Sequence, residues 1–143
     1  MFPGATSSNI TCPDGFHRCA GRCLALLYES VSYAEAESRC AELGAHLAVP
    51  RSEAENQCAV NASGGVQVWL GITSKAAQGR YVGADGLGEL APSSLLWAAG
   101  EPSDPATQPL LVLTPPGLAG WETGWHDIAD WLQARPLCQR ALN

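Results

Sequence analysis

Two tripeptides late in the chain carry the side chains best suited to chemistry. They are Glu101-Pro102-Ser103 and Trp125-His126-Asp127, with a Gly- and Pro-rich stretch ahead and Cys138 behind. Between them they offer two carboxylates, a hydroxyl and an imidazole. Carboxylate and hydroxyl oxygens suit a hard cation, and the number of charged ligands tunes its affinity. Imidazole nitrogen is a poor partner for calcium, but its charge changes near neutral pH, which suits a hydrogen-bonding role. No Gly-x-Ser-x-Gly, His-Glu-x-x-His or comparable nucleophile-base pattern occurs, so these residues point to binding and an enzyme is not expected.

The elements that must position them fit one domain. A chain of 143 residues is long enough to bury a core and short enough to gain from cross-links. Its net charge is -6, and its eight Lys and Arg are scattered singly. That balance argues against nucleic acid or an anionic membrane as partner, because both demand clustered cations. No apolar run approaches a membrane span. Met1-Phe2-Pro3-Gly4 opens a short polar lead without the apolar region of a signal peptide, so a signal is expected to have been removed or to lie outside this sequence. Six cysteines (Cys12, Cys19, Cys23, Cys40, Cys58, Cys138) and two N-glycosylation acceptor patterns, at Asn9 and Asn61, together favour a secreted, oxidising setting with disulfides. Zinc through Cys19-x-x-x-Cys23 ranks below this, for want of a second ligand pair.

Along the chain, residues 1–11 read as a flexible lead and 12–143 as the domain. Cys12 to Tyr28, with the turn signal Pro13-Asp14-Gly15, reads as a hairpin. Ser32-Tyr33-Ala34-Glu35 is a capping box opening a helix whose apolar face is Tyr33, Ala36, Cys40 and Leu43, and Gly44 ends it. Ser52-Glu53-Ala54-Glu55 opens a second helix with Cys58 on its inner face. Val66 to Ile72 is a mostly apolar and therefore central strand. Thr73 to Pro109 shows no regular pattern, and loops this long inside a compact domain are functional or disordered. Leu110–Leu113 returns to strand, Trp121–Asp127 reads as its antiparallel partner, and Leu137–Leu142 as a closing strand. The order implies an α+β fold with its two ends brought together.

These elements, taken with Trp69-Leu70-Gly71-Ile72, Gly44-Ala45-His46-Leu47-Ala48, Trp97 before Glu101, and the cysteine positions, resemble the C-type lectin-like domain in its long form with an N-terminal hairpin, across residues 12–143. The resemblance implies small antiparallel sheets flanked by two helices, with a long irregular loop region. It implies bridges Cys12–Cys23 and Cys40–Cys138, while the family's other common bridge is absent, its positions held by Leu111 and Asp130. Cys19 and Cys58 are extra. The plain inference joins them, stapling hairpin to helix, and the rival leaves one cysteine free or in a disulfide-linked homo-oligomer.

In that family calcium is held by the first tripeptide, a following Glu, and the Asn and Asp of the second, and sugar hydroxyls then bind metal and side chains together. Carried over, the metal set is Glu101, Ser103, Gln108, His126 and Asp127, with Pro102 in a cis peptide. The sugar set is Glu101, Ser103, His126 and Asp127, with Trp121 as a stacking platform. Ser103 stands for Asn or Asp, Gln108 for Glu, and His126 for Asn. Fewer carboxylates imply weak calcium binding, around 10⁻⁴ to 10⁻³ M, or its loss. Glu101 in the first position leans toward mannose-like or GlcNAc-like sugars. Trp69, Trp97 and Trp125 are expected in the core, Trp121 and Trp131 nearer the surface, and His17 and His46 in ordinary structural or surface roles. The implied function is a secreted carbohydrate-binding lectin domain, plausible in innate recognition or agglutination, with a weak calcium-dependent site. The alternative is a calcium-independent domain that binds sugar directly or a protein ligand. A mineral- or ice-binding role has no residue-specific support.

Overall fold

In a computed structural model of the chain, residues 11–141 are described. In chain order the elements are β1 (His17–Cys19), β2 (Arg22–Leu26), α1 (Tyr33–Glu42), β3 (His46–Leu47), α2 (Glu53–Ala62), β4 (Val68–Thr73), β5 (Val82–Gly83), a 3₁₀ turn (Pro92–Ser94), β6 (Leu110–Thr114), β7 (Gly124–Ile128) and β8 (Arg135–Ala141). The strands run in the order β1-β2-β8-β4-β6-β7, with β3 on β8 and β5 on β4. All pairings are antiparallel except β4 with β8. Leu26 opposite Leu137 and Arg22 opposite Ala141 bring the two ends of the domain together.

Both helices start where their hydroxyl caps dictate. Ser32 Oγ accepts the N–H of Glu35 at 3.2 Å, and Ser52 Oγ accepts that of Glu55 at 3.1 Å, satisfying donors that the first turn leaves without helical partners. Leu43 departs from the expected apolar face: α1 ends at Glu42, so Leu43 swings off the buried stripe as the cap and is 42% exposed.

The two-residue period of the strands divides the core into two layers. From β4 and β6, Val68, Leu70, Ile72, Leu111 and Leu113 face α2 and the long loop, packing with Cys58, Ala59, Tyr81, Leu90 and Trp125. Trp69, Leu110 and Val112 face the other way, onto Tyr33, Ala36 and Cys40 of α1. A sheet covered on both sides explains why these strands read as continuous apolar runs. Trp69 is fully buried, donates Nε1–H to the Val31 carbonyl at 2.9 Å and stacks edge-on against Tyr33. Gly71 admits the close approach of β3: a Cβ there would run into the Leu47 carbonyl.

Three disulfides tie this together, Cys12–Cys23, Cys19–Cys58 and Cys40–Cys138. The last spans 98 residues of sequence and contributes about 4 to 5 kcal/mol in the chain-entropy model. The long segment between β4 and β6 is irregular, as its glycines and prolines require, yet packed: Tyr81, Leu90 and Ala98 are buried. Arg51 anchors it from outside, donating to both carboxylate oxygens of Asp85 at 2.7 and 2.8 Å and to the Gly88 carbonyl.

Candidate functional site

The site forms where the long segment returns alongside β7. Trp125 is fully buried and donates Nε1–H to Asn56 Oδ1 of α2 at 2.8 Å. Its backbone takes up the segment, donating to the Leu96 carbonyl and accepting from Ala98 N–H. Gly124 makes this approach possible, since a Cβ there would fall on the Ala98 backbone and its φ is +126°. Trp97, half-buried, lies edge-on to both Tyr81 and Trp125. The chain is thereby aimed so that Glu101 arrives beside Asp127. The Glu101–Pro102 peptide is cis.

Asp127 is the centre of the arrangement. Buried on β7, it accepts the backbone N–H of Ser103 at 2.8 Å, the Ser103 hydroxyl at 3.1 Å and the backbone N–H of Asp104 at 2.9 Å. Glu101 Oε1 accepts the Asp127 N–H at 3.3 Å, and its Oε2 lies 3.5 Å from His126 Nδ1. Burial, then a hydrogen bond with Asp127 and its charge, pushes the Glu101 carboxyl above its ordinary value. Burial pushes Asp127 up as well, but the hydrogen bonds it accepts from Glu101, Ser103 and Asp104 outweigh that and hold it below the ordinary value. The pair thus divides its roles, with Glu101 taking a proton first and Asp127 keeping its charge.

His126 is buried and engaged at both ring nitrogens. Nε2 lies 2.6 Å from the Glu122 carbonyl, which only accepts, so Nε2 carries a proton there. Its ring sits edge-on to Trp121 at 5.2 Å. The expected exposed sugar platform at Trp121 is instead half-buried and part of the α1-side core, because β7 begins only at Gly124 and the preceding turn folds Trp121 back onto His126. Trp131 is the exposed tryptophan, at 66%. Trp69 and Trp125 lie in the core.

The five residues carried over as a metal set do converge: Glu101, Ser103, His126 and Asp127 as above, and Gln108, whose Oε1 lies 3.2 Å from the Ser103 hydroxyl oxygen. Their donor chemistry does not fit calcium as arranged. Both oxygens of Asp127 face N–H and O–H donors, one oxygen of Glu101 faces an N–H, and the imidazole edge lies where an oxygen ligand is needed. Among the described residues no group of three or more His, Cys, Asp or Glu side chains is placed to hold a metal ion.

From the sequence, Asp104 and Asp130 are candidates to restore a charge at the site although neither fits the motif; sequence reasoning missed the role Asp104 has, in which its backbone caps Asp127 and its Oδ2 accepts the Thr107 hydroxyl at 2.6 Å. An Asp before Pro105 with Thr three residues on is a turn signal that would have found it. It also missed the Glu122 carbonyl, which side-chain chemistry does not mark. Elsewhere, His46 Nδ1 contacts the Leu47 carbonyl and His17 is exposed on β1. Asn61 is exposed at the end of α2, and Asn9 lies outside the described residues.

Sheet order, paired helices, hairpin and converging loop define a C-type lectin-like domain. The chain belongs to the C-type lectin domain family, whose Lectin C-type domain model matches residues 29–108. It is similar to human C-type lectin domain family 17, member A, at 28% identity over 133 residues, covering 92% of this chain but 32% of that protein. The chain thus spans about a third of that relative's length. It is also similar to the type-2 ice-structuring protein of Hemitripterus americanus, at 27% identity, covering 89% of this chain and 73% of the relative. Among solved structures, the C-type lectin domain of murine dendritic cell inhibitory receptor 2 in complex with N-glycan superposes with a TM-score of 0.78 at 25% identity, covering 92% of this chain and 99% of that one.

Proposed function

We propose that this chain is an extracellular recognition domain of the C-type lectin-like class that binds carbohydrate through its long-loop rim without calcium. The observation carrying this reading is the closed hydrogen-bond network around Asp127, in which protein N–H and O–H groups occupy the directions a cation would need. Metal-mediated sugar binding works because charged oxygens are left free for the ion; here those of Asp127 are already occupied by protein donors. What remains outward on the rim is hydrogen-bonding capacity at Ser103, Asp104, Thr107 and Gln108, which matches sugar hydroxyls. Membership of the family and the glycan complex of the murine relative support the ligand class.

A protein ligand is the second reading, favoured by Leu87 and Val82, exposed at 64% and 38% on the same long segment. Glycan-array binding measured in calcium and again in chelator tests both. Equal signals in the two conditions are expected. A signal lost in chelator would overturn calcium independence, and silence in both would favour the protein ligand.

A further inference from the structure

A groove of about 870 Å³ runs between the N-terminal hairpin and the end of α2, far in sequence from the loop site and walled by Phe16, Leu24, Leu26 and Leu27. Tyr28, 90% exposed, and Leu43, 42% exposed, extend the apolar surface at its mouth. An exposed apolar surface of this kind on a soluble domain calls for a cover. Asn61 stands on the groove's wall and is the acceptor of the pattern Asn61-Ala62-Ser63.

We infer that Asn61 carries an N-linked glycan whose first sugars lie over this groove. The acceptor pattern marks the residue, and the fold places it where a sugar has an apolar bed. Asn61 Oδ1 accepts Gln57 Nε2–H at 3.0 Å, so the carboxamide is held through its oxygen by the preceding turn of α2. The apolar C–H face of N-acetylglucosamine packs on aromatic and aliphatic surface, for which Phe16 and the face of Tyr28 not covered by the Arg135 guanidinium are placed. A glycan is also bulky and solubilising, the reverse of the bare groove.

The step is a group transfer from a lipid-diphosphate-linked oligosaccharide. Asn61 Nδ2 bonds to C1 of its N-acetylglucosamine, the C1–O bond breaks, the lipid diphosphate leaves with the electron pair, and one amide proton passes to solvent. It must precede folding of α2, because the Ser63 hydroxyl of the acceptor pattern is fully buried and donates to the Val60 carbonyl at 2.7 Å.

The test is to produce the full chain through the secretory pathway of a glycosylating cell. Mass spectrometry of the reduced peptide from Ser52 to Lys75 should find a glycan that peptide-N-glycosidase removes, leaving aspartate at position 61. Removing the glycan from the folded protein should raise fluorescence of the apolar dye anilinonaphthalene sulfonate by roughly twofold or more, and N61Q should match the deglycosylated protein. An unmodified Asn61 would overturn the assignment. A glycan whose removal leaves dye binding unchanged would overturn its placement over the groove.

Discussion

The carboxylate of Asp127 accepts both the backbone N–H and the hydroxyl of Ser103, at 2.8 and 3.1 Å, across 24 residues of sequence. In a calcium lectin those two positions meet through the ion; here they meet directly. Asp127→Ala should therefore destabilise the domain itself by about 1 to 3 kcal/mol, since it removes a buried carboxylate and leaves the part-buried N–H groups of Ser103 and Asp104 without that acceptor. Guanidinium unfolding in chelator and in calcium should show the same loss. A loss confined to calcium-containing buffer would mean that Asp127 works through a metal.

The same network predicts how calcium binding would be built. Replacing Ser103 by Asn, Gln108 by Glu and His126 by Asn adds one carboxylate and supplies amide oxygens where a hydroxyl and an imidazole now stand. The triple variant should gain a calcium-dependent rise in melting temperature, while the parent chain shows none. Calcium titration calorimetry of both proteins checks it, and heat of binding in the parent would refute the account of the site.

The outcome at these positions marks what the sequence could tell. Both helix starts were legible because Ser32 and Ser52 signal their caps locally, and β4 was legible because its apolar run has only one use, a strand covered on both faces. The tripeptides located the site for the same reason: Glu101, Ser103 and Asp127 are side chains in a recognisable order. What closes the site was not legible. Asp127's partners are mainly backbone N–H groups brought from 23 and 24 residues away, and backbone groups leave no trace in residue types. His126 Nε2 meets the Glu122 carbonyl, a contact set by the turn ahead of β7. That turn also withdraws Trp121, and where it falls depends on Gly124 fitting against Ala98.

Protonation of the carboxylate pair predicts a stability optimum on the acid side of neutral. Glu101's folded value lies above its ordinary 4.5, so its contribution is present at low pH and lost as pH rises through that raised value. Asp127's folded value lies below its ordinary 3.8, so its contribution is present above 3.8 and lost as pH falls through the lowered value. Between these limits one proton serves the pair. Glu101→Gln keeps an acceptor for the Asp127 N–H and removes the like charge, so it should gain about 1 kcal/mol at neutral pH, a rise of roughly 2 to 4 °C. The gain should vanish as pH falls into the range where Glu101 is protonated. Melting curves from pH 4 to 8 for both proteins decide it: a variant less stable than the parent at neutral pH would contradict the paired-carboxyl picture.

The Cys19–Cys58 bridge predicts a separation in stability between the edge strand β1 and the rest of the domain. Among the described residues β1 pairs only with β2, and its half-buried Cys19 reaches α2 through the disulfide to Cys58, which is 7% exposed. The bridge closes a loop of 39 residues, which the chain-entropy model values at about 3 to 4 kcal/mol. Serine at both positions should cost about that much in global stability. It should also do something the larger Cys40–Cys138 bridge would not: leave β4, β6 and β7 intact while loosening β1. Strands held in a doubly covered core open only with the whole fold, whereas an edge strand such as β1, held by β2 and by its bridge to α2, opens locally once that bridge is cut. Hydrogen exchange should accordingly show faster exchange at Arg18 and Cys19→Ser than in the parent, with protection at Trp69 and Val112 reduced only by the global loss. Equal relative loss of protection in β1 and β6 would mean that the bridge stabilises the domain as one unit.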